Sequence, residues 1–132
     1  MENIEDKKIL IIDDDNFLLD MYAMKFKKEG FEVVAISDAE AALGQLKEET
    51  IKPKIVLFDL IMPKMDGLTF LKELYNLKIA DKFVKIVLSN QGQQADVDIA
   101  NKIGVDGYIV KALYTPSEVV KQVIEIFNKK PR

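Results

Sequence analysis

Lys54-Ile55-Val56-Leu57-Phe58-Asp59 sets an unbroken apolar run directly before a carboxylate. A short run without polar alternation, rich in β-branched and aromatic side chains, fits a strand covered on both faces. Three other runs share the form. Ile9-Leu10-Ile11-Ile12 leads into Asp13-Asp14-Asp15, Val84-Lys85-Ile86-Val87-Leu88 into Ser89, and Tyr108-Ile109-Val110 into Lys111. As parallel strands of one sheet, these runs bring their C-terminal ends to a single rim. Carboxylates, one hydroxyl and one ammonium then converge there, a set suited to a hard divalent cation and a transferred phosphoryl group.

Working outward, the runs alternate with segments of helical period. Strand one spans Lys8 to Asp13. Asn16 to Glu29 carries Leu18, Met21, Tyr22 and Phe26 on one stripe and stops at Gly30. Glu32 to Ile36 is a second strand. Ser37 is placed to cap a helix from Asp38 to about Glu48 that turns Ala39, Ala42, Leu43 and Leu46 inward. After the third strand, Leu60 to Asp66 forms a loop with Pro63. Gly67 opens a helix with Leu68, Leu71, Leu74 and Tyr75 on its buried side. Strand four covers Val84 to Leu88, and Gln93 to Ile103 is a helix stopped by Gly104. Strand five covers Tyr108 to Lys111. Thr115-Pro116-Ser117-Glu118 supplies an N-cap, a first-turn proline and a capping-box acid for a last helix ending near Asn128. Its apolar residues are Val119, Val120, Val123, Ile126 and Phe127.

Five β-α units of this kind imply an α/β fold, a parallel sheet with helices on both faces. Ligands bind such sheets at the carboxyl ends of the strands, where strand order reverses. The 132 residues suit one domain, read here as spanning 1–132 with loose ends at 1–6 and 129–132. No run approaches the roughly 18 apolar residues of a membrane span, and the acidic start Met1-Glu2-Asn3-Ile4-Glu5-Asp6 has no signal-peptide core. The default expectation is a cytoplasmic protein that binds no membrane.

The chain contains neither cysteine nor histidine. That excludes disulfides, thiolate or imidazole metal sites, and nucleophile chemistry resting on a histidine base. A metal here must be held by oxygen, which selects magnesium, manganese or calcium. Arg132 is the only arginine and the net charge is −3, so direct nucleic-acid binding is not expected.

Taken singly, each rim residue has an ordinary structural role. Asp13-Asp14-Asp15 can cap a helix, Asp59 and Ser89 can start turns, and Lys111 can be a solvated strand-end lysine. Asp66-Gly67 reads first as a plain turn. Together they read differently, because crowded carboxylates repel unless a cation neutralises them. A carboxylate is also a competent nucleophile toward phosphorus.

At this point the chain resembles the receiver domains of two-component response regulators, over about Lys7 to Phe127. The matching motifs are Ile9-Leu10-Ile11-Ile12-Asp13-Asp14-Asp15, Asp59-Leu60-Ile61-Met62-Pro63-Lys64-Met65-Asp66-Gly67, Ile86-Val87-Leu88-Ser89 and Gly107-Tyr108-Ile109-Val110-Lys111. The resemblance implies a doubly wound, flavodoxin-like (βα)5 fold with strand order 2-1-3-4-5. It implies Asp59 as phosphoacceptor and Asp13 and Asp14 as the acidic pair for Mg2+ (Mn2+ as substitute), with the Ile61 carbonyl as a further ligand. Lys111 would pair with the phosphoryl group, Ser89 would be the switch hydroxyl, and Tyr108 the aromatic switch that follows it. The implied donor is a sensor histidine kinase or histidine phosphotransfer protein. The implied output is a downstream target protein docking on the helix-four, strand-five, helix-five face, by a monomer or a phosphorylation-dependent dimer.

Three positions depart from that pattern. Ala112 stands where proline usually follows the lysine. A cis bond before a non-proline residue costs about 2.5–4 kcal/mol, so a trans Lys111–Ala112 bond and a shifted loop are expected. Asn90 replaces a small residue and is expected to narrow access to the acyl phosphate. Ile61 is apolar and cannot orient an attacking water, so slow hydrolysis is expected. Ala112 and Asn90 leave room for a second reading, a receiver-like interaction module independent of phosphorylation. A magnesium-dependent phosphohydrolase is disfavoured because Ile61 stands where such enzymes carry an acid/base aspartate. A flavin carrier is disfavoured because no Ser/Thr/Gly-rich phosphate loop follows strand one.

Overall fold

The computed structural model describes residues 7–130. Strands β1 (Lys8–Ile12), β2 (Glu32–Ile36), β3 (Ile55–Phe58), β4 (Val84–Ser89) and β5 (Gly107–Val110) alternate with helices α1 (Asn16–Lys28), α2 (Ala39–Lys47), α3 (Gly67–Asn76), α4 (Gln94–Ile103) and α5 (Pro116–Lys129). All strand pairs are parallel, in the order β2-β1-β3-β4-β5. This is the doubly wound sheet expected from the alternation.

Strand parity divides the core into two layers. Ile9, Ile11, Ile55, Leu57, Ile86 and Leu88 face one way, onto Leu19, Tyr22 and Phe26 of α1 and Val119, Val123 and Phe127 of α5. Their neighbours Leu10, Ile12, Val56, Phe58 and Val87 face the other way, onto α2, α3 and Ala100 of α4. Side chains of successive strand residues point to opposite faces, so a run apolar at every position can serve both layers. α4 contributes least, with Ala100 as its one buried residue.

Element ends differ from expectation where polar side chains compete for them. Asp38, not Ser37, caps α2, its carboxylate accepting from the Glu40 amide at 2.9 Å. Asp15 caps α1 by accepting from Leu18, and Asp66 caps α3 by accepting from Thr69, so Asp66-Gly67 is a helix start rather than a plain turn. β1 stops at Ile12 and β4 includes Ser89, while Lys111 leaves the sheet for a single 3-10 turn, Lys111–Leu113. A second such turn, Ala80–Lys82, precedes β4. Thr115 and Glu118 form the expected capping box. Tyr75, read as buried, is 38% exposed, because its hydroxyl reaches out to donate to the Gly104 carbonyl at 2.7 Å. Lys129 and Lys130, expected to belong to a loose end, are held in place, since α5 runs to Lys129 and Lys130 ion-pairs with Asp106. Residues 1–6 and 131–132 lie outside the described range.

Candidate functional site

Order reverses at β1, whose chain goes on to β2 on one side while β3 pairs with its other side. The crevice opens at this point. Ile12 is in register with Phe58, and Phe58 with Val87, so Asp13 and Asp59 leave the sheet at adjacent rim positions, and Ser89, the last residue of β4, lies one residue beyond their level. The Asp59 amide donates to the Ile12 carbonyl at 3.1 Å, carrying the ladder one residue past β3. Gly67 then brings α3 against the rim. A Cβ there would stand 2.2 Å from the Asp59 carbonyl oxygen, so no other residue fits without moving the backbone that carries Asp59.

Asp13, Asp59 and Ser89 are buried, and Asp14 is exposed. Asp13, Asp14 and Asp59 each offer a carboxylate oxygen, and these oxygens lie within 4.8 Å of one another. Lys111 Nζ donates to Asp13 Oδ2 at 2.7 Å and to Asp59 Oδ2 at 2.6 Å. The other oxygens of these two acids accept backbone amides, Asp13 from Asp15 and Asp59 from Ile61. Asp14 accepts no hydrogen bond among the described residues. Among the described residues every peptide bond is trans, and Lys111, followed by Ala112, stays within reach of both acids.

Burial raises the Asp13 carboxyl above its ordinary range, with Lys111 and the Asp15 amide opposing and Asp59 adding to the rise. For Lys111, burial pulls the other way, but the bonds from Asp13 and Asp59 outweigh it and hold the ammonium protonated. One cation thus pairs with two of the three acids. A donor set of three carboxylates is the chemistry that binds Mg2+ or Mn2+; the residues fit such an ion.

A cleft of about 360 Å3 opens over these groups, walled by Leu18, Ile61, Asn90 and Gln91. Asn90 stands on its wall, where access was expected to narrow. Ile61 is 61% exposed at its edge. One link was not legible in the sequence. The Gln91 amide donates to Ser89 Oγ at 3.2 Å, while the Gln91 carbonyl accepts from the Tyr108 hydroxyl. Gln91 thus bridges two side chains through its backbone, which no side-chain pattern announces.

The receiver domain model of response regulators matches residues 9–124. This chain belongs to the response regulator receiver domain family. It is 37% identical over 121 residues to the chemotaxis protein CheY of Thermotoga maritima, covering 91% of this chain and 97% of that one. It is 31% identical over 123 residues to the alkaline phosphatase synthesis transcriptional regulatory protein PhoP of Bacillus subtilis, covering 93% of this chain and 49% of the relative. The chain therefore spans about half the length of PhoP. Among solved structures it is similar to a CheY-like receiver domain protein of Methanospirillum hungatei (TM-score 0.82, 26% identity, 93% of this chain and 94% of that one). It is also similar to a chain of the CheX-CheY-BeF3-Mg complex of Borrelia burgdorferi (TM-score 0.80, 29% identity, 91% and 88%). Both agree with the (βα)5 fold and its strand order.

Proposed function

We propose that this receiver domain is a phospho-accepting switch whose acceptor is Asp59. An Asp59 oxygen attacks the phosphorus of a phosphohistidine on a sensor histidine kinase or histidine phosphotransfer protein. The new O–P bond forms as the P–N bond breaks, and the imidazole nitrogen leaves with the electron pair. The observation that carries this is the buried Lys111 ammonium shared between Asp59 and Asp13 at 2.6 and 2.7 Å. It holds one Asp59 oxygen in place and offers a cation to the phosphoryl oxygens that arrive.

Asp13 and Asp14 would hold Mg2+, one directly and one through water, with Asp59 and the Ile61 carbonyl completing the protein's share. The ion supplies charge neutralisation for the incoming phosphoryl oxygens. Ser89 would turn toward a phosphoryl oxygen and thereby give up the Gln91 amide. Because the same Gln91 is held by Tyr108, this couples the rim to the face of α4, β5 and α5, where a downstream protein would dock. The similarity to a chain of the CheX-CheY-BeF3-Mg complex of Borrelia burgdorferi supports signalling through protein contacts. The domain would act in the cytoplasm without binding membrane or nucleic acid directly, as a monomer or a phosphorylation-dependent dimer. It would carry out its own phosphorylation and dephosphorylation but no turnover of a free substrate. Among the described residues no helix is long and apolar enough to cross a membrane.

Intact mass spectrometry after incubation with acetyl phosphate and Mg2+ tests the reading. The parent should gain one phosphoryl group and Asp59→Asn none. A folded, Mg2+-binding parent that gains nothing would leave the phosphorylation-independent interaction module as the function. The exposed apolar Ile61 predicts a phosphorylated form that decays over minutes or longer. Decay of the mass adduct within seconds would contradict that.

A further inference from the structure

At the opposite rim, where the strands begin, two clefts of about 340 and 330 Å3 lie side by side. They share the wall Glu49, Ile51, Lys52 and Pro53. Pro53 and Phe83 are buried and Ile51 is half-buried, so the floor is apolar. Lys8, Lys52, Lys54 and Lys82 stand around it. Lys82 is tied to Glu49 at 2.7 Å and Lys8 lies 4.0 Å from Glu32, but Lys52 and Lys54 form no ion pair among the described residues. The balance around the floor is therefore basic, on a protein whose net charge is −3.

The wall is preformed. The Thr50 amide and hydroxyl both donate to the Gln45 carbonyl, at 3.1 and 3.2 Å, and the Lys54 amide donates to the Lys8 carbonyl at 2.9 Å. Glu49 sits at φ 58, a left-handed conformation uncommon outside glycine, and the Lys82 bond holds its side chain across the boundary of the two clefts. A shaped wall lowers the ordering cost of binding.

We infer that this double cleft docks an extended segment of a partner protein in which acidic side chains flank an apolar one. The apolar residue would sit on Ile51 and Pro53 while its neighbours meet Lys52 and Lys54. A polyphosphate chain such as nucleic acid fits worse, because Glu32 and Glu49 stand in the same walls and the apolar floor would go unused. The site is at the other end of the strands from Asp59 and rests on no phosphoryl chemistry.

The test is an amide NMR titration of the 15N-labelled full chain with the acetylated, amidated peptide EDLED. The expected result is saturable shifts at Leu46, Ile51, Lys52, Lys54 and Phe83, with none at Asp13 or Asp59. Lys52→Glu with Lys54→Glu, both exposed positions, should weaken the peptide by about tenfold or more while leaving the melting curve unchanged. Replacing the central leucine by serine should weaken it by about tenfold as well. Absence of shifts, equal shifts from the serine peptide, or binding indifferent to the double reversal would overturn the inference. So would the same shifts arising from protein concentration alone, which assigns the cleft to a second copy. Shifts that appear only after deletion of residues 1–6 would assign it to the chain's own acidic start and likewise overturn it.

Discussion

Two buried lysines mark the two ends of the sheet, and they are used in opposite ways. At the strand ends, Lys111 is shared by Asp13 and Asp59, with Asp14 beside them, so acid is in surplus. At the strand starts, Lys85 donates to the carbonyls of Ala80 and Phe83 at 2.8 and 3.3 Å and lies 3.5 Å from Asp106, which also pairs with Lys130. There base is in surplus. The Lys85 group is closed, since every buried side-chain polar atom among the described residues has a partner. The Lys111 group opens into a cleft with an unused carboxylate at Asp14. The same residue types thus make a rivet at one end and a reactive site at the other. What separates them is whether hydrogen-bonding capacity is left over.

The contrast breaks most visibly at Lys85. Lys85→Ala leaves two carbonyls unpaired in a buried space and should lower unfolding free energy in urea by about 3–5 kcal/mol. A loss below about 1 kcal/mol would mean that the cluster is no rivet. Mg2+ sharpens the other side. At a hundred times its dissociation constant it should stabilise the parent by about 2.7 kcal/mol, read as a shift in melting temperature. That gain should vanish in the Asp13→Asn, Asp14→Asn double variant and persist in Asp106→Asn.

Acid separates the two ends further. Burial would raise Asp106, but the Lys130 bond, the Lys85 amide and the Lys85 charge bring it below its ordinary 3.8. Its stabilising effect is therefore complete above that ordinary value and lost as pH falls through the lower folded one. Parent and Asp106→Asn should differ by roughly 2 kcal/mol at neutral pH and converge in strong acid; a constant gap would count against the assignment. Tyr75→Phe should have the smallest effect, about 1 kcal/mol, because it removes a single hydrogen bond, to the Gly104 carbonyl. Thermal melts would show it.

The strands and helices were legible because their apolar periods are local and unambiguous. So was the gathering of Asp13, Asp59, Ser89 and Lys111, since parallel strands must present their ends together. The choice between Ser37 and Asp38 as a cap was not, because both residues suit the role and only the backbone angle of Asp38 settles it. Lys85 was opaque for a different reason. A lysine inside an apolar strand looks like a charge turned to solvent, and its partners come from Ala80 and Asp106, which no local spacing connects. The Gln91 bridge is likewise a tertiary fact, made of backbone groups.

α4 buries only Ala100 fully and adds the half-buried Ile103 to the core, which has a consequence for how the chain can diverge. Most positions on this helix have little packing to lose, so substitutions there change what the surface recognises at small cost to folding. A lineage could retune its contacts on this helix while β1, β3 and the acid rim stay as they are. Duplicate copies could thereby part company in specificity without first becoming unstable.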